Sequence, residues 1–132
     1  FRMKKSGILN AQLAGRMAAL GHTQLVAIGD SGLPIPSGIP IVDLAVTSGV
    51  PSFTEVFDAI LDELVIESHT IANETVGNPA QDWFDNRTDQ LGERVLVSHE
   101  DLKSMLDACA FVVRTGEASP YANVILRCGV PF

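Results

Sequence analysis

The sequence predicts an α/β fold, a three-layer α/β/α domain around a mixed, mostly buried central sheet. Two observations carry that expectation. Short continuous apolar runs of strand length alternate with capped, helix-period segments through most of the chain, the pattern of helices packed on a buried sheet. The last two apolar runs, at 110–113 and 123–128, are joined by a turn too short for a helical crossover. They can therefore pair antiparallel and make the sheet mixed.

The elements follow in order. Asn10 is a good N-cap, and Leu13, Met17 and Leu20 fall on one face of a helix over 11–20 that Gly21 stops. Residues 25–28 form a short strand buried on both faces. The loop 29–40 carries Gly29, Gly32, Pro34, Pro36, Gly38 and Pro40, more backbone punctuation than a simple turn needs, and such loops are often functional. A second strand covers 41–45. Ser52 and Glu55 make a capping box for a helix whose core face is Phe53, Val56, Phe57, Ile60 and Leu61. A third strand spans 64–72.

Residues 73–92 are polar, with a helix starting at Asn78-Pro79 and including Trp83 and Phe84; the stretch reads as a peripheral excursion with little chemistry. A fourth strand at 94–97 leads to Ser98, the cap of a helix with Leu102, Met105 and Leu106 on its core face. Strands at 110–113 and 123–128 close the chain around a turn at 115–120.

The 132 residues, 1–132, make one domain, with Met3 read as the native start and Phe1-Arg2 as an added remnant. Hydrophobic residues make up 46% and charged residues 19%, enough to build a core and to bury further surface against copies of the same chain. Nine basic residues face sixteen acidic ones, a net charge of −7, which argues against nucleic acid and anionic membranes as partners. Nothing resembles a signal peptide or a spanning helix, so the cytoplasm is the expected location. Cys109 and Cys128 lie in apolar runs without CxxC spacing and read as buried, reduced core residues.

Neither metal nor cofactor is expected. His22, His69 and His99 are far apart and unpaired with the cysteines, and Gly29-Asp30-Ser31-Gly32 lacks both the dinucleotide spacing and a phosphate-binding lysine. Ser119, before Pro120, is a turn residue rather than a nucleophile, since no GxSxG elbow exists.

The chemistry-bearing residues lie at the ends of strands. His22 sits one residue past the first helix stop, where it can interact with the last carbonyls or serve as a proton donor. Asp30 lies one strand length away; it is either an Asx-turn residue or, if the loop folds back, a carboxylate that orients the imidazole. His99 and Lys103 share a helix face at i, i+4, which is a solvated face unless Tyr121-Ala122-Asn123 joins them in a polar site. His69 reads as a half-buried strand histidine.

Taken together these pieces resemble the ribose pyranase family, which is related to the L-fucose mutarotases. The matching stretches include Leu20-Gly21-His22-Thr23, Asp30-Ser31-Gly32-Leu33-Pro34-Ile35-Pro36 and Thr47-Ser48-Gly49-Val50-Pro51-Ser52-Phe53. His99, Arg114-Thr115-Gly116-Glu117 and Ser119-Pro120-Tyr121-Ala122-Asn123 follow in the same order. Only about 73–93 lies outside the match. Gly32-Leu33-Pro34 looks like the ribose rather than the fucose branch. The resemblance implies an isomerase that interconverts the pyranose and furanose forms of D-ribose in the cytoplasm. It also implies a homodecamer of two stacked pentameric rings, with sites near subunit contacts. His22 matches the family's proton donor; Asp30, His99, Lys103, Tyr121, Ala122 (through its backbone) and Asn123 match its sugar-binding positions. A mutarotase for another sugar such as L-fucose, or a non-catalytic sugar-binding protein, are the alternatives on the same scaffold.

Overall fold

The computed structural model describes residues 3–132; Phe1 and Arg2, read above as an added remnant, lie outside the described residues. Six strands form one sheet: β1 (Leu25–Gly29), β2 (Ile41–Asp43), β3 (Ile66–Ala72), β4 (Glu93–Val97), β5 (Cys109–Arg114) and β6 (Val124–Cys128), in the order β2-β5-β1-β6-β3-β4. β6 runs antiparallel to both β1 and β3, while the other pairings are parallel. The sheet is mixed, as expected, but by a different pairing. β5 and β6 do not touch as a ladder, because β1 lies between them and takes a neighbour on each side.

Alternation along the buried strands builds two cores. Val26, Ile28, Phe111, Val113, Val124 and Leu126 face α1 (Ala11–Ala18), α2 (Phe53–Leu61) and α3 (Ala80–Asp85). Ala27, Val112 and Ile125 face the other way, toward Leu102 and Leu106 at α5 (His99–Met105) and its following 3₁₀ turn. A single helix cannot cover that second face. The loop 29–40 covers the rest, placing Leu33, Ile35 and Ile39 against it. Its proline and glycine content thus serves packing as well as the site.

The helix starts are where capping chemistry puts them. Asn10 Oδ1 accepts from the Leu13 amide, Ser52 and Glu55 form a full capping box, and Ser98 Oγ accepts from the Asp101 amide. The first helix ends earlier than expected, at Ala18 with Ala19 as its cap. Gly21 does not supply the left-handed turn; Thr23 does, at φ 70°. A β-branched residue is costly there, and its amide bond to the Cys128 carbonyl at 2.8 Å holds it in place. Both cysteines are buried and reduced. Among the described residues no helix is long and apolar enough to cross a membrane.

The stretch 73–92 is not peripheral. Thr75, Ala80, Phe84 and Leu91, on a 3₁₀ turn, α3 and α4 (Thr88–Leu91), are all fully buried. Phe84 packs edge-on to Phe53 and Phe57, with centroids 5.7 and 5.6 Å away, and Trp83 stacks on Phe53 at 5.7 Å. The polar residues that dominate the sequence here are solvated turns around a few large aromatic anchors. His69, expected half-buried, is 1% exposed. Its Nδ1 lies 3.0 Å from the Leu91 carbonyl and its Nε2 accepts from Arg94 Nε at 3.1 Å, which fixes the neutral Nδ1–H tautomer.

Two expectations follow. Phe84→Ala removes a ring from a filled cluster and should cost about 3–5 kcal/mol in urea denaturation; a loss near zero would return the segment to the periphery. His69 is held below its ordinary pKa by burial, with the Arg94 charge acting the same way. The unfolded chain therefore binds a proton that the folded chain refuses. Its contribution is complete above the unfolded value of about 6.5 and is lost as pH falls from there toward the folded value. The pH dependence of the denaturation midpoint between pH 7 and 5 should be shallower in His69→Gln than in the parent.

Candidate active site

In an open α/β sheet the carboxyl ends of parallel strands, where helices and loops diverge, form the natural crevice. Most of the expected polar residues collect there. β1 is followed by Asp30, β3 by Glu74 and Thr75 on the next 3₁₀ turn, and β4 by His99 at the start of α5, while β6, running the other way, begins just after Tyr121-Ala122-Asn123. One antiparallel strand among parallel neighbours therefore brings its amino end to the same edge as their carboxyl ends.

Asp30 is half-buried and held on two sides. Its amide donates to Asn123 Oδ1 at 3.0 Å, and its Oδ1 accepts from the Gly32 amide at 3.0 Å, the Asx-turn read from the sequence. Burial pushes its carboxyl pKa up; the Gly32 amide, the Asn123 side chain, the Ala122 amide and the nearby His99 pull it back down. Asn123 is 2% exposed and Ala122 fully buried. Gly29, just before Asp30, leaves no room for a side chain: a Cβ would sit 2.5 Å from Leu33 Cδ2 and 3.0 Å from Asn123 Oδ1.

The loop bearing Asp30 is fixed from beneath by Arg114-Thr115-Gly116-Glu117. Arg114 Nε donates to the Ser31 carbonyl, Thr115 Oγ1 to the Gly29 carbonyl at 2.8 Å, and the Ser31 amide to the Glu117 carbonyl. Arg114 also pairs with Asp43 at the end of β2. This motif is scaffold for Asp30.

His99 meets Tyr121 edge-on, with ring centroids 5.2 Å apart. Its Nδ1 is buried with no hydrogen-bond partner, an atom suited to a ligand hydroxyl. Tyr121 has φ 54°, a left-handed conformation, and its carbonyl accepts from Thr75 Oγ1 at 2.9 Å. Lys103 is half-buried, and its ammonium pairs with Glu100 at 2.7 Å. Glu74 was not singled out from the sequence. Its carboxylate accepts from the His99 amide at 3.1 and 3.2 Å, so it fixes the start of α5 and with it the His99 ring. The available signal was its place right after a strand that ends at this edge.

His22 is elsewhere. It lies in the turn between α1 and β1, at the amino end of the strand whose carboxyl end carries Asp30. The five residues of β1 alone span about 16 Å, so no fold of the loop joins the two in one chain. Of the two readings of Asp30, the Asx-turn is the one present, and within one chain its carboxylate does not orient His22. The partner of His22 is Glu67, with Nε2 to Oε2 at 3.1 Å, and Arg127 Nε holds the other Glu67 oxygen at 2.7 Å. The His22 bond and that of Arg127 keep the Glu67 carboxyl below its ordinary range. One chain thus brings together Asp30, Ala122, Asn123, His99 and Tyr121, and leaves His22 apart. Among the described residues no cluster of histidine, cysteine and carboxylate could hold a metal ion.

The model of the RbsD / FucU transport protein family matches residues 3–131. The chain belongs to that family. It is similar over 130 residues, at 55% identity, to the D-ribose pyranase of Cutibacterium acnes, a match covering 98% of this chain and 100% of that protein. The D-ribose pyranase 1 of Rubrobacter xylanophilus is 52% identical with the same coverage. Among solved structures, Bacillus subtilis RbsD complexed with D-ribose matches with a TM-score of 0.91 and 37% identity, over 98% of this chain and 100% of that one. The Streptococcus pneumoniae fucose mutarotase in complex with L-fucose, at 21% identity, TM-score 0.77 and 94% and 95% coverage, shares the fold.

The buried Asn123 side chain ties this edge together, and its removal is measurable. Asn123→Ala strands the Asp30 amide and should cost about 1–3 kcal/mol in urea denaturation. An unchanged midpoint would show that the bond holds nothing.

Proposed function

We propose that the chain is a D-ribose pyranase, an isomerase that interconverts the β-pyranose and β-furanose forms of D-ribose. The observation that carries this reading is the full-length match to a family member solved with D-ribose bound, together with the polar edge at the end of β1. Ring opening needs a proton delivered to the ring oxygen and one removed from the anomeric hydroxyl; the open aldehyde then recloses through a different hydroxyl. Neutral sugar is held by hydrogen bonds. Asp30, the His99 Nδ1, Asn123, the Ala122 backbone and the Tyr121 hydroxyl supply acceptors and donors of that kind, and Lys103, one helical turn on from His99, adds an ammonium. His22 is the proton donor.

Because His22 and Asp30 sit at opposite ends of β1, the complete site combines His22 of one copy with the Asp30 edge of another. Self-association supplies that arrangement, and a homodecamer of two pentameric rings is the form the motif resemblance implies. Exposed apolar surface supports it: Val46 is 80% exposed, Val50 51%, and both strand edges carry exposed aliphatics, Ile41 at 50% and Leu96 at 48%. Val46 and Val50 also line a groove of about 490 Å³ with Leu9, Leu44 and Pro51. The cytoplasm is the compartment where this activity would meet its sugar, and the net charge of −7 suits neither nucleic acid nor an anionic membrane.

His22→Ala should keep the fold and abolish acceleration of pyranose-furanose exchange, read by NMR saturation transfer on D-ribose; full activity would remove His22 from the chemistry. A preference for L-fucose in the same assay would overturn the ribose assignment, and saturable binding without exchange would make the chain a sugar-binding protein. Mixing inactive His22→Ala and Asp30→Asn chains after dissociation should restore roughly a quarter of the sites if subunits combine at random. No recovery would mean that both residues act within one copy. Light scattering should give ten times the 14.1 kDa of one chain.

A further inference from the structure

The pair at the amino end of β1 is built rather than incidental. β3 pairs with β6 in a register that slips by one between Ile66 and Ser68, where Ile66 faces Cys128 and Ser68 faces Arg127. Glu67 is the extra residue at that slip. A bulge of this kind takes a residue out of the ladder and re-aims its side chain, and bulges recur beside functional sites. Here the re-aimed carboxylate reaches His22 with one oxygen and Arg127 with the other. Gly92 keeps the approach tight from the β4 side, since a Cβ there would collide with the Glu67 carbonyl. A recess of about 320 Å³ opens beside Glu67, lined by it, Ser68, Glu93 and Arg127.

We propose that Glu67 is the positioning residue of the proton donor, fixing the His22 imidazole through Nε2–H so that Nδ1 is the nitrogen that exchanges the proton with the sugar. The inference rests on the donor reading of His22. In the charged ring both nitrogens carry hydrogen: Nε2–H stays with the Glu67 carboxylate, while the Nδ1 proton passes to the ring oxygen as the bond between that oxygen and the anomeric carbon breaks. The anomeric hydroxyl gives up its proton to solvent water, and the products are the open aldehyde and a neutral imidazole that keeps Nε2–H. On reclosure the attacking hydroxyl gives its proton to Nδ1, while the proton held by water returns to the carbonyl oxygen. Arg127 anchors the carboxylate so that it cannot follow the proton. Other charged or titratable groups around the pair are Glu93 on β4, which lines the recess, and the Cys128 thiol on β6, which Glu67 influences electrostatically.

The test uses Glu67→Gln, which keeps shape and removes charge, and Glu67→Ala; Glu67 is a surface residue with 37% of its side chain exposed, so both should fold. Exchange of D-ribose should slow by about tenfold or more at saturating sugar with KM little changed, because the substituted group touches the imidazole and not the substrate. Ring ¹⁵N shifts of His22 in the intact protein should report Nε2–H in the parent and a mixture of tautomers in Glu67→Ala. Glu67→Asp, which keeps the charge, should recover part of the rate. Parent-like rate and tautomer in Glu67→Gln and Glu67→Ala, with His22→Ala inactive, would overturn the role of Glu67 alone. A fully active His22→Ala would overturn the donor reading and the proposal with it.

Discussion

A single buried hydrogen bond, from the Asp30 amide to the Asn123 side chain, joins the end of one strand to the start of another. It spans 93 residues of sequence and only 3.0 Å of space. The bond exists because β6 enters the sheet antiparallel beside β1 and so begins where β1 ends. The rest of that edge gathers around it. Asp30 sits beside Ala122, Tyr121 takes a left-handed turn, and its ring meets His99. A parallel β6 would have carried Tyr121-Ala122-Asn123 to the opposite edge and left Asp30 without a wall.

The same strand organises the other end of the sheet. Arg127 on β6 holds the carboxylate of Glu67, and the register slip between β3 and β6 lets that carboxylate reach His22. One strand therefore serves two polar clusters on opposite edges. Within one chain they are too far apart to act on one molecule. Apolar side chains stay exposed at Ile41, Val46 and Val50 near one edge strand and at Leu96 on the other, and the proposed self-association would draw on such surface.

Sequence and structure part company where contacts are distant in sequence. The capping signals at Asn10, Ser52 and Ser98 were legible because each cap is satisfied within three residues. The apolar runs were legible because burial on both faces leaves a continuous aliphatic signature. The segment 73–92 misled because Phe84 and Leu91 are isolated apolar residues among polar ones, and nothing local says that Phe53 and Phe57 wait across the core. Glu67 and Glu74 were silent for a related reason: a lone carboxylate in or after a strand looks solvated until its partner, 45 residues before it in one case and 25 after it in the other, is in place.

The sequence by itself determined the α/β class, the strand and helix positions to within a few residues, the family, and the set of polar residues worth watching. Those properties depend on local periodicity, capping and ordered motifs. Only the tertiary structure decided which of those residues meet. Strand order and direction set which ends share an edge, and both are fixed by packing among residues far apart in the chain. That is why Asp30 found Asn123 and His99, why His22 found Glu67, and why His22 and Asp30, only eight positions apart in the sequence, ended on opposite edges of the sheet.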